Sequence, residues 1–165
     1  VAHWDVKDLS GVNATAMPGT RDSLTTYAIE MGGKYKFGRV QLAVNGWYGQ
    51  NTGSLLGNIF QIQTPDKPDV RGFGVWSQLG VMLPLGLSAW GFAGIDRPNR
   101  DMALAAQLAR LQNIQLALMV AYVNGPLTAT LEWMHIRTVT PAPGMPMATV
   151  TNYANQPSFT IAYAF

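Results

Sequence analysis

Large apolar side chains recur at every second position through most of this chain, the signature of strands with two unlike faces. In 24–37 the odd positions carry Tyr27, Ile29, Met31, Gly33, Tyr35 and Phe37, and the even ones include Thr26, Glu30, Lys34 and Lys36. In 39–50, Val40, Leu42, Val44, Gly46 and Tyr48 oppose Arg39, Gln41, Asn45 and Trp47. In 71–83, Phe73, Val75, Leu79 and Val81, interrupted by Ser77, oppose Gly72, Gly74, Trp76, Gln78 and Gly80. In 111–122, Ile114, Leu116, Leu118, Val120 and Tyr122 oppose Asn113, Gln115 and Ala117. In 127–139, Leu127, Ala129, Leu131 and Trp133 oppose Thr128, Thr130 and Glu132. Segment 87–96 leaves its faces open, because Trp90 and Phe92 oppose Leu87, Ala89 and Ile95. A seventh segment covers about 153–165, and residues 1–8 read as the outer end of an eighth strand.

Each segment runs about a dozen residues, against the roughly 9–11 that a tilted strand needs to cross a bilayer. The core of each apolar face is free of charge; Arg71, His135 and Arg137 share its parity but sit at segment ends. The connections alternate in length. Phe37-Gly38, Pro84-Leu85-Gly86 and Val123-Asn124-Gly125-Pro126 carry the Gly, Pro and Asn chemistry of tight turns. The stretches at about 9–23, 51–70, 97–110 and 140–152 are long.

The closing octapeptide is Ser158-Phe159-Thr160-Ile161-Ala162-Tyr163-Ala164-Phe165. Phe159, Ile161, Tyr163 and Phe165 alternate with small residues, and the chain stops on an aromatic. This tail resembles the closing strand of a Gram-negative outer-membrane β-barrel, where such residues form the signal read by the barrel-insertion machinery. The resemblance implies an all-β fold: a transmembrane, antiparallel, up-and-down barrel of about eight strands in this chain, within a single domain over 1–165. It also sets an orientation. With Phe165 on the periplasmic rim, every tight turn falls on that side and every long loop outside, the arrangement of bacterial outer-membrane barrels. Because such barrels have even strand numbers, the chain is expected to be the C-terminal part of a larger, porin-like barrel with N-terminal strands missing. A complete eight-stranded barrel with a short first strand is the alternative.

Composition agrees. Charged residues are 12% of the chain, about half the usual share. A net charge of +2, scattered along the sequence, gives no nucleic-acid footprint. There is no cysteine, hence no disulfide framework. A soluble barrel would need a water-facing sheet rich in Lys and Glu, whereas the second face is mostly Gly, Ala, Ser, Thr, Asn and Gln. Helical spans are disfavoured because Pro84-Leu85-Gly86 and Asn124-Gly125-Pro126 cut the uncharged runs 72–95 and 111–131 into short pieces. Tyr35, Phe37, Tyr122 and Phe165 near one rim, and Tyr48, Phe73, Trp133 and Tyr153 towards the other, match two interfacial belts.

The second face predicts the function. Glu30, Lys34, Lys36, Arg39, Gln41, Asn45, Gln78, Asn113, Gln115, Thr128, Thr130 and Glu132 would line a lumen. In a wide barrel such residues border an aqueous path for passive diffusion of small hydrophilic solutes. In an eight-stranded one they fill the interior. No enzyme, cofactor or metal site is expected. His3 with Asp5 offers only two ligands, and His135 lacks a serine in nucleophile context. The second functional reading is an anchoring barrel whose outer loops bind a partner. Loop 51–70, with Leu55, Leu56, Ile59, Phe60 and Ile62, could extend a hairpin, narrow the lumen, or contact a surface partner or second copy. Residues 101–110, after Pro98-Asn99, read as a short helix on the outer rim.

Overall fold

A computed structural model describes residues 2–5, 23–52 and 68–164. Eight strands follow one another in sequence and in space: β1 Ala2–Asp5, β2 Ser23–Phe37, β3 Val40–Gln50, β4 Arg71–Met82, β5 Leu87–Pro98, β6 Gln112–Asn124, β7 Leu127–Ala142 and β8 Met145–Tyr163. Every neighbouring pair is antiparallel. One helix, α1 Arg100–Ala105, lies between β5 and β6. No helix among the described residues is long and apolar enough to cross a membrane. The strands coincide closely with the alternating segments, because alternation of β-branched and aromatic residues with small ones fits a pleated sheet whose faces differ.

The sheet is up-and-down and open. β1 covers only the start of β2, from Ser23 to Thr26. Beyond that, the edge of β2 from Tyr27 to Phe37 has no strand against it among the described residues, nor does the free edge of β8. β2 and β8 both run towards the rim of tight turns, so an antiparallel seam between them needs an odd number of strands in between. The hydrogen-bond rows also climb around the sheet. The row through Phe37, the last residue of β2, passes through Val40, Val81, Ala89, Val120 and Leu131 to Phe159, which still has Thr160 to Tyr163 beyond it. Such stagger is what tilts strands in a barrel.

Turns Gly38-Arg39, Pro84-Leu85-Gly86 and Gly125-Pro126 lie on one rim, with positive φ at Gly38, Leu85, Gly86 and Gly125. Ala164 joins them there, its N–H donating to the Pro126 carbonyl at 3.0 Å. Two expectations need correction. The stretch 140–152 is no loop: β7 and β8 continue as a long hairpin closed by Pro143-Gly144, with Gly144 at φ 71°. A tight turn therefore also occurs on the opposite rim. The prolines suggested a loop, but a register shift between Pro141 and Ala142 accommodates them in a paired ribbon. The other correction is Arg39, which sits in a turn rather than in a strand. Residues 6–22, most of loop 51–70 (53–67) and Phe165 lie outside the described residues.

The rim opposite the turns holds the buried apolar cluster. Val70, Ala103, Ala106, Leu108 and Leu111 pack together, with Met102, Leu104 and Val139 against them. Helix α1 starts at Asn99, whose side chain accepts from the Met102 N–H at 3.1 Å. It ends with Gln107 at φ 55°, where the Leu108 N–H reaches the Ala103 carbonyl and the Gln107 N–H reaches Leu104. That paired closure satisfies the last carbonyls of the helix. Beside it, Asn51 (φ 54°) ties three segments together. Its amide donates to the Thr25 carbonyl at 3.0 Å and to Asp69 at 2.7 Å, and its Oδ1 accepts from the Val70 N–H at 2.9 Å. The hydroxyl of fully buried Thr26 donates to the Asn51 carbonyl at 3.4 Å. Asn tolerates the left-handed backbone, and its side chain supplies both donor and acceptor. Replacing Asn51 by Ala strips the buried Val70 N–H of its side-chain partner and strains the backbone. The expected loss is about 2–3 kcal/mol, read as a lower urea midpoint for Asn51→Ala than for the parent.

Candidate functional site

The two faces of the sheet are exposed in the reverse of the order a soluble domain shows. Among the described residues, 27 large hydrophobic side chains are exposed and only six hydrophobic residues are buried. Along β6 the alternation is direct: Leu116, Leu118 and Val120 are exposed, while Gln115, Ala117 and Met119 are half-buried. Across β3 to β7 the apolar face is therefore the more exposed one and the face of polar and small side chains the more covered, whereas β2 from Ile29 and β8 from Asn152 are exposed on both faces. Soluble monomers rarely expose apolar patches of more than a few hundred Å².

Cross-strand rows show what the inner face contains. One row runs Glu30, Trp47, Gly74, Asp96, Asn113, Thr138; the next, Gly32, Asn45, Trp76, Gly94, Gln115, Ile136. The third runs Lys34, Ala43, Gln78, Phe92, Ala117, Met134, and the fourth Lys36, Gln41, Gly80, Trp90, Met119, Glu132. Thr128 and Thr130 follow on β7. Of the twelve residues expected to share this face, all but Arg39 do so. Trp90 and Phe92 also belong here, which resolves the open faces of β5.

Polar side chains on this face pair across strands. Asn45 donates to Glu30 at 2.8 Å, Thr138 to Asn113 at 2.8 Å, and the Gln115 amide to the Met134 sulfur at 3.3 Å. Charges are few and mixed: Glu30, Lys34 and Lys36 lie on β2, Asp96 on β5 and Glu132 on β7, and the fourth row joins Lys36 to Glu132 through neutral residues. No group of three or more His, Cys, Asp or Glu residues suited to a metal occurs among the described residues.

Sequence reading missed one feature of this face. Tryptophans on β3, β4 and β5 stand opposite glycines: Trp47 against Gly74, Trp76 against Gly94, Trp90 against Gly80. The pairing is steric. A Cβ at Gly74 would collide with the Trp47 indole, and one at Gly80 would overlap the six-membered ring of Trp90. The Trp90 Nε1–H donates to Ser88 at 3.0 Å, fixing that ring, and Trp76 stacks on Phe92 at 6.1 Å and 27°. Aromatic rings lying over cross-strand glycines shield the backbone and stabilise the pair. With Phe92, these rings pass through four successive rows, about 7 Å apart at ordinary strand rise.

On the outer face, Phe159, Ile161 and Tyr163 are all exposed. His135 lies there too, its Nδ1 2.9 Å from the Asn155 Oδ1 and its ring stacked between Trp133 and Tyr153 at 6.0 and 5.9 Å. No protein-family model matches the chain, and neither a curated protein nor a solved structure matches it.

Substituting Gly80 by Ala should drive Trp90 off its seat and break its bond to Ser88. The expected cost is about 1–3 kcal/mol, with a changed near-ultraviolet circular dichroism spectrum. Gly33→Ala, where a Cβ meets open space, should leave both unchanged.

Proposed function

We propose that this chain forms part of an outer-membrane, porin-like β-barrel through which small hydrophilic solutes diffuse passively. The observation that carries the reading is the exposure pattern across β3 to β7: the apolar face is the open one, and the face of amides, hydroxyls and small residues is the more covered. In hydrocarbon the outer face is satisfied as it stands. In water it would leave a broad apolar surface uncovered. The bilayer is then the solvent of one face, and a water-filled lumen the solvent of the other. Hydrocarbon cannot satisfy the open edges of β2 and β8, so the barrel closes through further strands inserted between them. One strand there makes eight, an interior that side chains fill; the channel reading takes three or more, and with them a wider perimeter. Lys34 and Lys36 near the turn rim of one wall, and Glu132 level with Lys36 on another, supply a transverse field there that biases permeant ions. The tail Phe159, Ile161, Tyr163 and Phe165 serves as the insertion signal, with the C-terminus on the periplasmic side.

The long β7–β8 hairpin favours a second role. It continues beyond His135 and Asn155 and offers a paired ribbon, with Tyr153 and Val150 exposed, to a partner at the cell surface. Loop 51–70 is a further candidate contact for such a partner or a second copy.

Planar-bilayer recording separates these roles. The full-length protein should give discrete conductance steps, and Glu132→Lys should shift ion selectivity towards anions. Absence of steps from correctly inserted protein would remove the channel reading and leave the anchoring one.

A further inference from the structure

We infer that the inner wall carries a binding site for small organic cations, ammonium or quaternary ammonium groups borne on a flat or apolar body. The site is a concavity of about 200 Å³ bordered by Trp90, Phe92, Met119, Gln78, Gln115 and Glu132. Trp90 on β5 and Glu132 on β7 share one row with Met119 between them. Two ordinary strand spacings put their backbones about 10 Å apart, with the Met119 side chain as the floor between ring and carboxylate.

Three features select the ligand class. Glu132 is the sole ionisable side chain in the lining, and it makes no hydrogen bond or ion pair with other described residues. Glu30, by comparison, accepts from Asn45. The aromatic rings are held in place before any ligand arrives: Gly80 seats Trp90, Ser88 holds its indole N–H, and Phe92 stacks with Trp76. A preorganised ring attracts a cation through its quadrupole, most strongly for Trp, and loses little on binding. Finally, the polar remainder is neutral. The amide nitrogen of Gln115 is turned to the Met134 sulfur, which leaves its oxygen as an acceptor. A phosphate or carboxylate ligand would meet Glu132 with no lining cation to offset it.

The site rests on the reading of this face as water-filled, and the test separates the two. Phenyltrimethylammonium is titrated into the full-length protein in detergent micelles, followed by tryptophan fluorescence and calorimetry. Saturable binding is expected, stronger than that of an uncharged alcohol of similar shape. Glu132→Gln should weaken it about tenfold while leaving the urea midpoint near that of the parent. Gly80→Ala, which keeps the ring but displaces it, should weaken it as well. In bilayers the same cation should interrupt the current briefly. Conductance steps without binding or interruption would overturn the site and leave the channel. Binding without steps would keep the site and overturn the channel. Equal binding of the cation and the neutral alcohol, or no effect of Glu132→Gln, would reduce the site to a greasy surface and overturn the inference.

Discussion

The antiparallel backbone ladder is the constraint on which the rest of this structure depends. Side chains on a strand alternate with a period of two, so slipping one strand by one residue would exchange its faces. The register from Glu30 through Trp47, Gly74, Asp96 and Asn113 to Thr138 keeps parity across six strands. That continuity gathers most of the amides with Trp47, Trp76 and Trp90 on one surface and the exposed leucines, valines and isoleucines on the other. Among the described residues, the buried hydrophobic cluster sits at the rim, where α1 and Val70 pack. The sheet itself relies on its hydrogen bonds, on cross-strand side-chain pairs and on whatever solvent meets its apolar face.

Much of the architecture was legible from the sequence because both determinants are local. Alternation located β2 to β7 to within a few residues, and Gly or Pro marked three turns. The short helix was readable from Asn99 and the run after it. Where reading failed, a non-local contact decided. Pro141 and Pro143 argue for a loop in isolation, but pairing with β8 and the shift at Ala142 keep the ribbon together. Segment 87–96 mixes apolar residues on both sides, and only its partners show that Trp90 and Phe92 face inward.

The candidate site was legible in outline and not in its central feature. The polar residues were identified by parity alone. The tryptophan–glycine pairs were hidden because each needs the register between two strands. Trp90 and Gly80 flank one turn and could be matched by counting outward from it. Trp47 and Gly74 lie on either side of the long 51–70 connection, where no count is possible. Gly74 and Gly80 make room for the rings opposite, and Gly94 for the Phe92 ring on its own strand.

The central claim is that one face of this sheet meets lipid and the other meets water. The chain contains no cysteine, so single cysteines can be placed along β6 one position at a time. In the bilayer-embedded protein a charged, membrane-impermeant thiol reagent should modify cysteines at Asn113, Gln115, Ala117 and Met119. It should spare those at Ile114, Leu116, Leu118 and Val120. Uniform labelling, or labelling of the second set in place of the first, would contradict the account.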